Sequence, residues 1–282
     1  MAAPLETVRT VADLRARIRS WRKDGLSAGL VPTMGALHEG HFSLVDQSRK
    51  NNDKTCVTLF VNPKQFGPDE DFDVYPRTEE QDAAALADRG TDLLFAPRVE
   101  EMYPVGSVTK VSVPGIGDLW EGASRPGFFE GVATVVSKLL LQSLPDHAYF
   151  GEKDYQQLCV IQRMVKDLDI PVAIKGCPII READGLALSS RNAYLSQVER
   201  QAAPALNQAM RAAAQNIAAG AAVTESVDQA TQSIRAVGFG DIDYVAVCDP
   251  ASLKELSEID GPARMLAAAW LGKTRLIDNI PV

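Results

Sequence analysis

"VPTMGALHEGH", residues 31–41, passes from an apolar run through a glycine turn to two histidines three apart, His38 and His41. Three readings compete: a metal site, the start of a solvated helix, or a turn that holds an anion. Zinc needs three or four protein ligands. The only other histidine is His147, and HEGH differs by one residue from the HExxH spacing of zinc proteases. A plain solvated helix does not explain Pro32, Met34 and Gly35 before the pair or Gly40 within it, in the order strand, tight turn, helix. At a helix N-terminus after a strand, free backbone N–H groups and the macrodipole attract phosphate. Imidazole there tends to stay neutral and can donate N–H to an anion. Gly40 lets a ligand come close to the backbone. Anion binding is the favoured reading.

Working outward, strand-like runs recur at 28–33, 55–61, 92–97, 147–151 and 171–180. Helical patterns lie between several of them, at 38–50, 78–89 and 154–168, the last with Leu158, Ile161, Val165 and Leu168 at helical spacing. Strands apolar throughout and alternating with helices imply a parallel sheet covered on both faces. The fold class is therefore α/β, a Rossmann-like doubly wound parallel sheet, with ligands beyond the C-terminal ends of the strands. Residues 104–127, rich in Gly and Pro, are expected to be irregular apart from a short strand, as a lid or an interface. After about residue 180 two Ala-rich helical segments, 197–219 and 224–237, precede strands at 241–249, 264–271 and 274–279. The expected division is 1–180, a Rossmann-like domain, and 181–282, a smaller α+β domain that carries the loop with Ser189, Ser190 and Arg191 at its start.

Composition narrows the function. The 282 residues carry 29 Lys and Arg against 37 Asp and Glu, a formal net charge of −8. That balance disfavours nucleic acid as a partner, so an anionic ligand must be held by a local cluster of donors. Four separated cysteines without a CxxC pair read as buried free thiols in a reducing cytosol. No apolar run approaches the ~18 residues of a membrane span. The Arg-rich segment 10–25 is interrupted by Asp13 and Asp24 and closed by Gly25, so it reads as a domain helix rather than a targeting peptide. A cytoplasmic location follows.

Two further segments suit phosphate. "GEKD", 151–154, follows an apolar strand and offers the Lys153 ammonium beside Asp154. "GLALSSRNAYLS", 185–196, presents Ser189, Ser190 and Arg191, hydroxyls and a guanidinium fork. Either alone could be solvated loop chemistry; together with the His pair they point to one bound anion.

HxGH after the first main strand, with a Ser-rich basic loop late in the sheet, resembles the nucleotidyltransferase superfamily. More narrowly, "VPTMGALHEGH", "FVNPKQF", "YPRT", "EGASRPG", "GEKDYQQL", "DGLALSSRN" and "AAWLGKTRLIDN" resemble the pantothenate synthetase family along nearly the whole chain. The resemblance implies an AMP-forming ligase that condenses pantoate with β-alanine using ATP, through a pantoyl adenylate. It implies an ATP-binding turn over Met34, Gly35, Ala36, Leu37, His38, Glu39, Gly40 and His41, with His41 in the position usually labelled proton donor. Hydrogen bonding to the leaving pyrophosphate needs no full proton transfer, however. Gly151, Glu152, Lys153 and Asp154 match further nucleotide contacts, as do Ile180 and the loop Leu188, Ser189, Ser190 and Arg191. His38, His41, Lys153 and Arg191 are the expected catalytic set. Gln65 and Gln157 match pantoate ligands, since a primary amide both donates and accepts. Gln65 also matches a β-alanine contact, with Asn62 assisting or simply making the turn before Pro63. Gln156 should face elsewhere.

Mg²⁺ is implied with ATP and commonly keeps its waters; no carboxylate cluster identifies a protein ligand for it. A homodimer is implied as well. One position departs: the family commonly has His-Phe after "RPG", where this chain has Phe128-Phe129, which puts the polar contact of that segment in doubt. The rival readings are another nucleotidyltransferase that stops at nucleotide transfer, a tRNA synthetase, for which the chain is acidic and lacks an evident anticodon domain, and a nucleotide sensor, which would need neither glutamine.

Overall fold

A computed structural model describes residues 5–68, 72–73 and 75–282. In chain order the elements are β1 (Thr7–Val8), α1 (Val11–Lys23), β2 (Ala28–Thr33), α2 (Glu39–Asn51), β3 (Lys54–Leu59), α3 (Glu79–Asp88), β4 (Leu93–Phe95), α4 (Val99–Met102), α5 (Trp120–Ser124) and α6 (Phe128–Ser143). There follow β5 (His147–Gly151), α7 (Tyr155–Asp167), β6 (Ala173–Cys177), α8 (Gln197–Ala202), α9 (Ala205–Ala218), α10 (Val223–Ala236), β7 (Ile242–Cys248), β8 (Arg264–Leu271) and β9 (Thr274–Pro281). They form two compact units. The first comprises 1–117, 125–152 and 157–178, and the second 118–124, 153–156 and 179–282.

The first unit holds a parallel six-stranded sheet in the order β1-β4-β3-β2-β5-β6. From β2 the chain winds outward through β3 to β4, then returns to lay β5 and β6 on the other side. The order thus reverses between β2 and β5, the crevice where open α/β sheets bind ligands. Neighbouring strand residues serve opposite faces. Leu30, Cys56, Phe95 and Phe150 pack with Leu14, Ile18 and Trp21 of α1, with α6 and with α7. Val31, Val57, Leu94 and Tyr149 pack with Phe42 and Val45 of α2 and Leu86 of α3. The doubly wound reading is correct, and so is the smaller α+β part. In the second unit β7, β8 and β9 form an antiparallel sheet in that order, sharing a core with Leu206 and Met210 of α9 and Ile234 of α10.

Four expectations change in detail. Strand 171–180 shortens to β6, and helix 197–219 is broken by Pro204 into α8 and α9, because proline cannot donate within a helix. No strand occurs in 104–127; the regular element there is α5. Leu168 lies past the end of α7 and is 52% exposed. Finally, α6 escapes a search for periodicity because most of its residues, including Val132, Ala133, Val135, Val136, Leu139 and Leu140, are buried. A helix apolar on nearly all sides carries little 3.6-residue signal.

Candidate active site

β2 and β5 pair through Gly29↔His147 and Leu30↔Ala148 and run on equally far, so Thr33 and Gly151 end at one edge of the sheet, at the switch point. After Thr33 the backbone turns through Gly35, with φ of 92°, and Ala36, with φ of 51°. A left-handed alanine is strained and needs outside support. Asp82 of α3 supplies it: Oδ2 accepts from Ala36 N at 3.0 Å and Oδ1 from Leu37 N at 3.0 Å. The Thr78 hydroxyl adds a third bond, also 3.0 Å, to this buried carboxylate.

His38 caps α2. Its Nδ1 accepts from Gly40 N at 3.1 Å, while His41 Nδ1 accepts from His38 N at 3.3 Å. The rings lie 4.1 Å apart between centroids, tilted by 44°. With each Nδ1 an acceptor, the ring proton of a neutral imidazole belongs on Nε2 in both residues. Both imidazoles thus spend Nδ1 on the backbone of their own turn. Glu39 turns its carboxylate to Arg89, 2.7 Å away.

Beyond β3, Pro63–Gln65 forms a single 3₁₀ turn. Asn62 is 1% exposed and uses its whole amide within the protein. Its Nδ2 donates to Gln65 Oε1 at 3.0 Å and to Gly131 O at 3.1 Å. Its Oδ1 accepts from Lys64 N at 3.3 Å and from the Tyr103 hydroxyl at 2.8 Å. A primary amide has no more capacity than that, so Asn62 holds Gln65 rather than offering an open contact. Gln65 Nε2 reaches Met34 Sδ at 3.0 Å, joining this turn to the histidine turn. Gly131 permits the approach: a Cβ there would stand 2.1 Å from Lys64 O. At the departing position the Phe128 ring lies 3.8 Å under the Arg125 guanidinium, a cation–π contact, and Arg125 Nη2 donates to Gln65 O at 3.3 Å. That ring packs Arg125 where an imidazole would have offered a polar edge.

The adjacent glutamines differ sharply. Gln156 accepts from Glu121 N at 3.0 Å and donates to Leu119 O at 2.8 Å. Gln157 is half-buried and bonds to none of the described residues, leaving its amide open. Gly151 and Glu152 belong with Gln157 to the first unit, whereas Lys153 and Asp154 belong to the second.

In the second unit, Lys153 sits in the 3₁₀ turn Glu152–Asp154 with Nζ 4.0 Å from Asp154 Oδ2. Ile180 and Leu188 face one another across a hairpin, with Leu188 N donating to Ile180 O at 3.0 Å and Arg181 bridging to Ala187. Gly185, with φ of 96°, makes its bend. Ser189 then caps the turn Ser190–Tyr194, its Oγ accepting from Arg191 N at 3.3 Å. These side chains are half-exposed. Asp82, Gly131 and Asn62's partners carry no local motif; only the pairing of a buried carboxylate with a left-handed turn reveals Asp82. Among the described residues no group of three or more His, Cys, Asp or Glu could hold a metal.

Known proteins resemble the chain throughout. The family model for pantoate-beta-alanine ligase matches residues 6–281. Pantothenate synthetase of Paramagnetospirillum magneticum is 56% identical over 282 residues, covering 100% of this chain and 99% of that protein. Its counterpart in Caulobacter vibrioides is 54% identical, covering 100% of both. The crystal structure of pantothenate synthetase from Thermus thermophilus superposes with a TM-score of 0.92 at 49% identity, covering 98% of this chain and 99% of that one. A pantoate-beta-alanine ligase from Francisella tularensis, described in complex with beta-gamma ATP and beta-alanine, gives 0.83 at 34% identity over 98% and 97%. With a family model spanning residues 6–281 and relatives more than half identical from end to end, the chain belongs to the pantoate–β-alanine ligase family.

Proposed function

We propose that this ligase works through a pantoyl adenylate. A pantoate carboxylate oxygen attacks the α-phosphorus of ATP, the α–β bridging bond breaks, and pyrophosphate leaves with its electron pair. The β-alanine amine then attacks the acyl carbon, AMP departs, and the amine proton passes to solvent. The first step is phosphoryl transfer, where positioning and neutralisation of charge do most of the catalysis. His38 and His41 donate Nε2–H to phosphate oxygens as neutral groups, so His41 stabilises the leaving pyrophosphate without giving up a proton. Lys153 and Arg191 supply positive charge, with Ser189 and Ser190 donating beside them. The backbone from Met34 to Leu37, together with Gly151, Asp154, Ile180 and Leu188, bounds the nucleotide. Gln157 and Gln65 orient pantoate, Gln65 also serves the amine, and Asn62 acts by holding Gln65.

The observation that carries this reading is the pair of backbone N–H groups accepted by the two imidazole Nδ1 atoms at the end of β2, which puts the ring proton of a neutral imidazole on Nε2. The related Francisella ligase, described with beta-gamma ATP and beta-alanine, adds support. Mg²⁺ fits best as a partner of the triphosphate, since the described residues supply no preformed cluster of ligands; it would take most of its shell from phosphate and water and neutralise phosphate charge. The four cysteines are buried and none is in a disulfide. Burial, helped by the Glu152 carboxylate, pushes the Cys177 thiol up to about 11, away from thiolate chemistry, and a cytoplasmic location is proposed. A homodimer is the assembly proposed, to be tested by sedimentation.

Product analysis with ATP, pantoate and β-alanine, omitting one at a time, tests the chemistry. Pantothenate and AMP should form only in the full mixture. Nucleotide binding without AMP would reject the reading.

A further inference from the structure

The segment "AAWLGKTRLIDN" ends in Asp278 and Asn279 on β9, and the proposed chemistry assigns neither a part. Both are buried, 5% and 2% exposed. Asp278 takes the Arg181 guanidinium in two bonds, 2.7 and 2.8 Å, and accepts from Asn207 Nδ2 at 2.8 Å and from Asn279 N at 2.7 Å. Arg181 also donates to Gly185 O at 3.1 Å, so this carboxylate anchors the base of the hairpin that carries Leu188 to Arg191. Asn279 divides its amide in two. Oδ1 accepts from Arg264, whose guanidinium stacks 3.8 Å above the Tyr155 ring. Nδ2 donates to the carbonyl of Lys153 at 2.9 Å, across 126 residues of sequence. Residues 153 and 155 are therefore both held from one point on β9.

From this geometry we infer that Asn279 is a positioning residue for Lys153: it fixes the backbone from which the ammonium reaches the phosphates. The inference rests on the phosphate role proposed for Lys153. A lysine side chain has several rotatable bonds, so the placement of its charge depends on how firmly its Cα is held. The site also explains the residue type. The Lys153 carbonyl needs a donor and Arg264 needs an acceptor, and a primary amide is both. Aspartate would keep the Arg264 pair and turn a carboxylate on the carbonyl.

The test is a double-mutant cycle on the single-turnover rate of adenylate formation. Asn279→Asp should slow that step at least tenfold in the native background, leave pantoate affinity unchanged, and have no further effect in Lys153→Ala. An equal loss in both backgrounds, or no loss in the native one, would overturn the inference. An unchanged rate in Lys153→Ala alone would instead sink the role given to Lys153. Should Asn279→Asp fail to fold by circular dichroism, Asn279→Ser goes through the same cycle with the same criteria.

Discussion

In the turn after β2, Asp82 receives two consecutive backbone N–H groups and the imidazoles receive two more. In the loop from Leu188 to Arg191 the hydroxyls and guanidinium are half-exposed, and a buried pair, Arg181 with Asp278, secures the base of its hairpin. The first region is finished by bonds within its own unit; the second is secured at its base and turns its polar side chains partly toward solvent. Charge stabilisation works best from groups that need no reorganisation during reaction, whereas a loop able to close can exclude water only once substrate is bound. The two regions thus differ in exposure: a buried carboxylate braces the first, and half-exposed donors line the second.

Removing a charge-stabilising group should have the largest effect in either region. His41→Ala or Lys153→Ala is expected to lower the single-turnover adenylation rate by on the order of 10²-fold or more. Near-native rates from His41→Ala would break the claim that the first region is the finished one. Asp82→Ala comes next. It leaves two backbone N–H groups without their buried acceptor and a left-handed alanine without support, which should cost on the order of 3 kcal/mol in urea unfolding and weaken ATP binding. A stability within about 1 kcal/mol of the parent would mean that the turn is not under strain. Gln157→Ala should weaken pantoate binding about tenfold, the loss of an oriented hydrogen bond, while ATP affinity stays put; equilibrium titration giving the opposite pattern would reassign that amide. Ser189→Ala is the mildest change. Losing the cap on a half-exposed turn should shift stability by less than about 1 kcal/mol and slow turnover only a few-fold. A large drop in melting temperature would show that the loop is as prebuilt as the histidine turn.

Local patterns were the legible part. Strands 28–33 and 147–151 have the same bounds in the sequence reading and in the structure, because a short apolar run closed by a turn is a local signal. The histidine turn was equally visible, since spacing and glycines sufficed to suggest it. Gln157 could be named from its motif, but its open amide beside the saturated Gln156 needed coordinates. Asp82 meets Leu37 across 45 residues, and Asn279 meets Lys153 across 126; no spacing rule reaches so far. The all-round apolar α6 hid its period for the opposite reason, too much burial rather than too little.

The sequence by itself determined the alternation of buried strands and helices, and with it the edge of the sheet where the chemistry lies, because backbone propensity and hydrophobic period act over a few residues. Only the tertiary structure decided which ring nitrogen of each imidazole accepts a backbone N–H and which of two neighbouring glutamines is open. It alone also assigned the segments 118–124 and 153–156 to the second unit. Those outcomes depend on hydrogen bonds between groups that meet only when the chain is folded.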